Sequence, residues 1–308
     1  MTPEQISEQI LSIRPTVLSQ AQRESYFEDG YLLLESIVPM DWVEKMRLAT
    51  DEWVAKSRAI EKSDAIFDLE PGHSAATPRL RRLSSPVEHD LRYWQYAKDS
   101  LLADIVSDLV GPDVKFHHSK LNFKWAEGGE EVKWHQDIQY WPHTNYTPLT
   151  VGTYLHDVGP EQGPLGVVPG SHLGELYDEY NDKDQWVGCI ADKDLSRVSL
   201  DRAEYLMGSA GSITIHNCRT VHGSRPNQSG LGRPLLLNAY SAANAFTYTA
   251  NPLPSRYEGQ IVRGRAARYA EHDPRPCQLP PDWSAGYTSL FAMQQEETWD
   301  EAQLETVA

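Results

Sequence analysis

The rhythm of polar and apolar positions changes near residue 112. Before it, apolar side chains recur at helical spacing; after it, they alternate or gather in short runs between turn residues. Residues 19–28 predict a short helix, which Asp29-Gly30 turns into the apolar run Tyr31 to Leu34. Pro39 opens a longer helix over about 40–60, carrying Trp42, Val43, Met46, Leu48 and Trp53. Residues 62–86, with Pro71, Gly72, Pro78 and several serines, read as a long loop able to cover a site. Its Arg79, Arg81 and Arg82 are a solvated basic stretch on the plainer reading and a clamp for an anionic substrate on the other. A further helix runs from Val87 to Val110 and stops at Gly111-Pro112.

Residues 113–125 then alternate, with Leu121, Phe123 and Trp125 on one face and His118, Lys120 and Asn122 on the other. Adjacent His117 and His118 therefore point to opposite faces. More strands are expected at 131–137, 149–157, 165–168, 211–216 and 233–242, separated by Gly128-Gly129, Gly163-Pro164, Pro169-Gly170-Ser171 and Asn227 to Gly230. Short strands without intervening helices predict an antiparallel sandwich, a jelly roll. Residues 254–271 look helical again, and the acidic tail from about 294 reads as frayed. The expectation is a mainly β fold with helices, one domain over 1–308. Residues 1–112 would be helical support packed on one sheet, 113–245 the jelly-roll core, and 246–308 a C-terminal helix and tail.

A formal net charge of −16 repels phosphate backbones and anionic lipid, which argues against nucleic-acid and membrane partners. One or two buried arginines can still override that field locally for a small anion. Three scattered cysteines, Cys189, Cys218 and Cys277, read as reduced thiols of a cytoplasmic protein. The N-terminus lacks the pattern of a signal peptide, and no apolar run reaches the length of a membrane span.

Candidate chemistry centres on Trp134-His135-Gln136-Asp137. Residues at i and i+2 of a strand share a side, so His135 and Asp137 can reach one metal ion together. His222, on the turn between the strands at 211–216 and 233–242, would complete a facial triad. With 11 histidines and 44 acidic residues in the chain, one or two His-x-acid pairs are expected by chance, so the weight lies in the surroundings. Arg233 begins the next strand, and its guanidinium fork matches a carboxylate. Ser224, two residues after His222, can support the same carboxylate. A metal beside a carboxylate clamp suits a 2-oxo acid, which chelates with one end and leaves the other free.

The stretches Phe27-Glu28-Asp29-Gly30-Tyr31, Trp134-His135-Gln136-Asp137, Gly163-Pro164-Leu165-Gly166-Val167-Val168-Pro169-Gly170-Ser171-His172 and His222-Gly223-Ser224 with Arg233 stand in the order found in one family. The chain resembles the phytanoyl-CoA dioxygenase family, which includes hydroxylases of ectoine and other small metabolites. The resemblance spans residues 27 to about 245 and implies a double-stranded β-helix of the jelly-roll, cupin-like kind. It implies iron(II) on His135, Asp137 and His222, and 2-oxoglutarate on Arg233 and Ser224, with Asn122 and Lys120 beside it. It also implies a dioxygenase that uses O2, releases succinate and carbon dioxide, and hydroxylates an unactivated C–H bond of a small metabolite or natural-product intermediate. The family's asparagine-rich turn before Gly163 is here Pro160-Glu161-Gln162.

Gln136, Tyr140, Trp141 and Arg219 are candidates to face substrate, while His156, His172 and His216 read as structural. A homodimer is compatible with the sequence. Two alternatives remain: a cupin-like metalloenzyme without 2-oxoglutarate, which would usually carry a His-x-His pair, and a non-catalytic small-molecule-binding protein of the same fold.

Overall fold

The computed structural model describes residues 3–126, 128–282 and 294. Helices α1 (Pro3–Leu11) and α2 (Gln20–Asp29) come first. Ser19 caps α2, its hydroxyl accepting from the Gln22 N–H while Gln22 reaches back to the Ser19 N–H. Gly30 ends the helix at φ 82° and leads into β1 (Tyr31–Leu34). Helix α3 (Met40–Ser57) follows the expected Pro39 start.

Four expectations need correction in the fold. The loop at 62–86 contains a hairpin, β2 (Phe67–Leu69) with β3 (Leu80–Ser84), and β3 pairs with β4 (Val114–Asn122). Leu80 and Leu83 are fully buried, and this apolar pair ties the segment to the core despite its basic residues. The single helix from Val87 is broken into α4 (Pro86–His89), α5 (Leu91–Asp99) and α6 (Leu102–Val110). Asp90 and Ser100 are extended at the breaks, and each accepts from the N–H two residues on, so local side-chain bonds replace helical ones.

The remaining strands are β5 (Val132–His135), β6 (Leu149–Tyr154), β7 (Leu165–Val167), β8 (Glu204–Leu206), β9 (Ile213–Asn217), β10 (His222–Ser224), β11 (Leu235–Ala242) and β12 (Ile261–Arg263). The expected helix over 254–271 is absent. Gly259 and Gly264 take φ near 70° there, and β12 between them adds to β4 instead. His222 lies within its own short strand, not on a turn. The tail from 294 falls outside the described residues, Gln294 excepted.

All pairing is antiparallel, in two sheets. The larger runs β1-β9-β6-β11-β4-β3-β2 with β12 also on β4; the smaller runs β5-β10-β7-β8. Alternation divides the larger sheet's faces. Leu121, Val151, Ile213, Ile215 and Leu236 join the helical core of Met46, Trp94, Tyr96 and Ile105. Each such fully buried aliphatic contributes about 2 kcal/mol. The intervening residues Lys120, Thr150 and His216 face a cavity shared with His135, His222 and Ser224 of the smaller sheet. The fold is thus the jelly roll read from the sequence, with helices on the outer face and the site between the sheets.

Candidate active site and metal centre

His135 ends β5, and His222 is its direct register partner at the start of β10. Asp137 follows on a single turn of 3-10 helix over Asp137–Gln139. The three side chains offer ligand atoms that all lie within 4.8 Å of one another. Asp137 Oδ1 stands 3.9 Å from His135 Nε2 and 3.8 Å from His222 Nε2.

The surroundings fix how these groups present themselves. His135 Nδ1 lies 2.8 Å from the Lys133 carbonyl, and His222 Nδ1 lies 2.9 Å from the Thr220 carbonyl. Each Nδ1 must carry the proton to make that bond, which leaves the Nε2 lone pairs directed at Asp137. Burial pushes His135 down to about 4 and His222 well below the usual histidine range, so both rings are neutral at pH 7. Burial pushes the Asp137 carboxyl up, but Lys120, His222 and His216 outweigh it and hold the group well below the usual carboxylate range. Asp137 Oδ2 accepts from Thr150 Oγ1 at 2.9 Å and contacts His216 Nε2 at 3.3 Å. Two neutral imidazoles and one carboxylate on one face form a donor set for a divalent iron.

The cavity beside the triad holds Lys120, Asn122, Ser224 and Arg233. Arg233 is 3% exposed, and its Nε and Nη1 lack hydrogen-bond partners among the described residues. The Asn122 Oδ1 is likewise buried and unpaired. Such groups cost free energy unless something satisfies them, and a dicarboxylate chelating the metal would accept from the two Arg233 donors. Lys124 also reaches this cavity, but its ammonium is spent on the Glu130, Ser224 and Arg225 carbonyls and pins those loops together.

Other expected residues are placed differently. Tyr140 and Trp141 line a second cavity at the triad, with the Tyr140 ring centroid 5.5 Å from that of His135. Gln136 and Arg219 line neither cavity. Gln136 Nε2 donates to the Glu175 and Arg219 carbonyls, and its Oε1 accepts from the Tyr177 N–H. Arg219 donates to the His172 and Gly174 carbonyls. Both clasp the 172–177 segment.

His117 and His118 do not face opposite ways. A bulge in β4 leaves His117 without a partner on β11, and the two Nδ1 atoms lie 2.5 Å apart. Sequence reasoning missed Thr150 and the part His216 plays beside Asp137; the polar position between Leu149 and Val151 was the available signal for Thr150. The turn at Pro160-Glu161-Gln162 is helical and ends on Gly163 at φ 64°, so the departure in composition leaves a well-formed turn.

A jelly roll that sets two histidines and an aspartate beside a buried, unpaired cation is the architecture of the non-haem iron, 2-oxoglutarate-dependent dioxygenases, and this protein is one of them. The chain belongs to the phytanoyl-CoA dioxygenase family, whose model matches residues 26–235. It is 31% identical over 270 residues to a probable alpha-ketoglutarate-dependent hypophosphite dioxygenase of Stutzerimonas stutzeri, covering 86% of this chain and 91% of that one. Ectoine dioxygenase of Bordetella parapertussis is 28% identical over 261 residues, covering 76% and 78%. Among solved structures, EctD from S. alaskensis in its apoform superposes with a TM-score of 0.65 at 24% identity, over 84% of this chain and 92% of that one. That likeness shows the fold.

Proposed function

We propose that the enzyme hydroxylates an unactivated C–H bond of a small metabolite, with iron(II) on His135, Asp137 and His222 and 2-oxoglutarate anchored by Arg233. The single observation that carries the assignment is the buried Arg233 fork with unpaired donors in the cavity that also holds the triad. Bound iron with 2-oxoglutarate supplies the oxidising power for O2 activation, and the protein supplies position and dryness. Asn122, Ser224 and Lys120 complete the cosubstrate site. Thr150 and His216 orient Asp137 so that Oδ1 is the ligating oxygen. Tyr140 and Trp141 wall the substrate side; the Tyr140 hydroxyl is tied to the Gly188 carbonyl, which fixes its ring.

An intact triad with Asp137 favours hydroxylation over chemistry that needs a vacant carboxylate position. The paired Arg233 and triad favour a 2-oxo acid cosubstrate over a cupin-like site without one, and they disfavour a binding protein without catalysis. The unpaired cysteines fit the cytoplasm, and no helix among the described residues is long and apolar enough to cross a membrane. The relatives' substrates, hypophosphite, ectoine and L-proline, are the first small molecules to screen.

The test is an anaerobic titration of metal-free protein with iron(II), then 2-oxoglutarate, followed through the visible metal-to-ligand charge-transfer band. The band should form in the wild type and be absent in His135→Ala. Iron binding without the band would move the assignment to a site that does not use 2-oxoglutarate.

A further inference from the structure

A third cavity, sharing no lining residue with the two at the triad, lies where α1, α2 and α6 meet the turn between β9 and β10. It leaves about 210 Å³ of room for a ligand. An apolar cavity of roughly 150 Å³ already holds a benzene ring, so a ring bearing one short polar arm fits here. Ile6 and Ile10 of α1, Phe27 of α2 and Leu109 of α6 supply apolar surface. Tyr146, Arg219 and Arg275 line the same space, the two guanidinium groups lying 4.4 and 4.9 Å from the centroid of the Tyr146 ring.

Arg219 is the unsatisfied member of this group. It is 4% exposed, and its Nε and Nη2 donate to the His172 and Gly174 carbonyls. Its Nη1 has no hydrogen-bond partner, and no carboxylate pairs with it, among the described residues. The acid in the lining, Asp273, accepts from Nε and Nη2 of Arg275. Burial and the charge of Arg275 both press the Arg219 guanidinium below its usual range. A buried cation without a counter-charge is costly, and a carboxylate beside it makes a charge-assisted bond. One wall of the cavity is also the scaffold of the metal ligands. Asn217 and Arg219 line it, and their turn offers three carbonyls to the triad's segments. Cys218 accepts from the Ile138 N–H, Arg219 from Gln136 Nε2, and Thr220 holds the His222 ring through Nδ1.

We propose that this cavity is a regulatory site for a small aromatic carboxylate, its head on Arg219 and its ring among Ile6, Ile10, Phe27 and Leu109. Occupation stiffens the 217–220 turn and raises iron(II) affinity. The coupling rests on the metal site described above; the binding does not. In the test, metal-free enzyme is titrated by calorimetry with phenylacetate, phenylacetamide and phenethylammonium. Phenylacetate should bind about tenfold or more tighter than the amide, and the ammonium should bind least. Arg219→Gln should bring acid and amide to within about threefold of each other. Ile6→Trp fills the room and leaves Arg219 in place, so it should weaken acid and amide alike, and it carries the test if Arg219→Gln fails to fold. Arg233→Ala, without the buried cation of the cosubstrate cavity, should bind phenylacetate as the wild type does. Iron(II) is then titrated anaerobically with and without saturating phenylacetate. Its affinity should rise about threefold or more, and iron(II) should raise phenylacetate affinity by the same factor. Equal affinity for acid and amide, phenylacetate binding unchanged in Arg219→Gln or in Ile6→Trp, loss of binding in Arg233→Ala, or an iron affinity indifferent to phenylacetate would each overturn the proposal. Failure of iron(II) to bind the wild type at all would instead overturn the metal assignment, while the titrations of metal-free enzyme still decide on the cavity.

Discussion

Arg233 is buried beside the triad with two guanidinium nitrogens unpaired, so its role can be separated from that of the metal ligands. Removing two charge-assisted hydrogen bonds costs about 3 kcal/mol. Arg233→Ala should therefore weaken 2-oxoglutarate about 100-fold while iron(II) affinity stays within a few fold, read by titrating the charge-transfer band. Unchanged cosubstrate affinity would refute the clamp. The triad was legible because extended backbone puts i and i+2 on one side: β5 ends at His135 and Asp137 begins a 3-10 turn, but the residue between them stays extended, which sends Asp137 to the side of His135 and Gln136 to the other. Its nearness to the ligands in sequence made it a substrate candidate, yet geometry makes it a backbone clasp. Arg219 likewise holds backbone carbonyls: proximity to His222 along the chain says nothing about facing.

At the scale of elements, alternation located β4, β6, β9 and β11 because each has one face on the helical core and one on the cavity. It failed where other forces set the backbone. A one-residue bulge turned His117 toward His118. Two polar side chains cut one helix into three. The β2–β3 hairpin hid behind proline, glycine and arginine, although Leu80 and Leu83 were its anchors. Gly30 shows how tight one junction is. A Cβ there would sit 2.3 Å from His172 Nδ1 at a backbone φ of 82°, and the Gly30 carbonyl accepts from the Asn217 N–H and the Thr220 hydroxyl. Thr220 in turn holds the His222 ring through its carbonyl. Gly30→Ala should destabilise the protein by about 2 kcal/mol or more. It should also lower iron affinity, measured by urea unfolding and metal titration; a neutral result in both would show that the junction yields.

Over the whole molecule, buried neutral histidines give stability a defined dependence on pH. Burial pushes His118 down to about 3, and His143 and His172 to about 4. The unfolded chain takes up protons near the ordinary histidine value of 6.5, before the native rings do. Stability from these groups is therefore complete above about pH 6.5 and lost as pH falls toward 4. Each such histidine should cost on the order of 2 kcal/mol between pH 7 and pH 5. Urea unfolding of metal-free protein at the two pH values should show the fall, and His143→Gln should lessen it. An equal fall in that variant would exclude His143 as a source. The buried Glu179 carboxyl, raised well above its usual range by burial, works in the opposite sense and loses stability as pH rises. Its Oε1 accepts from the Gln136 N–H, so it positions the turn that carries Asp137.

The register of His135 with His222 has a mechanical meaning. Strand β5 is one of the two edge strands of the smaller sheet among the described residues, held laterally by β10 alone. A metal bound across that pair is a rivet through the sheet's margin, joining chain segments far apart in sequence. Stripping iron should loosen the margin first. Amides of residues 132–135 should exchange with deuterium faster in the metal-free protein, while those of β11 in the middle of the larger sheet stay protected. A loosened margin also exposes an unpaired strand edge to other copies of the chain. Iron supply would then govern how long the enzyme persists in solution as well as whether it turns over.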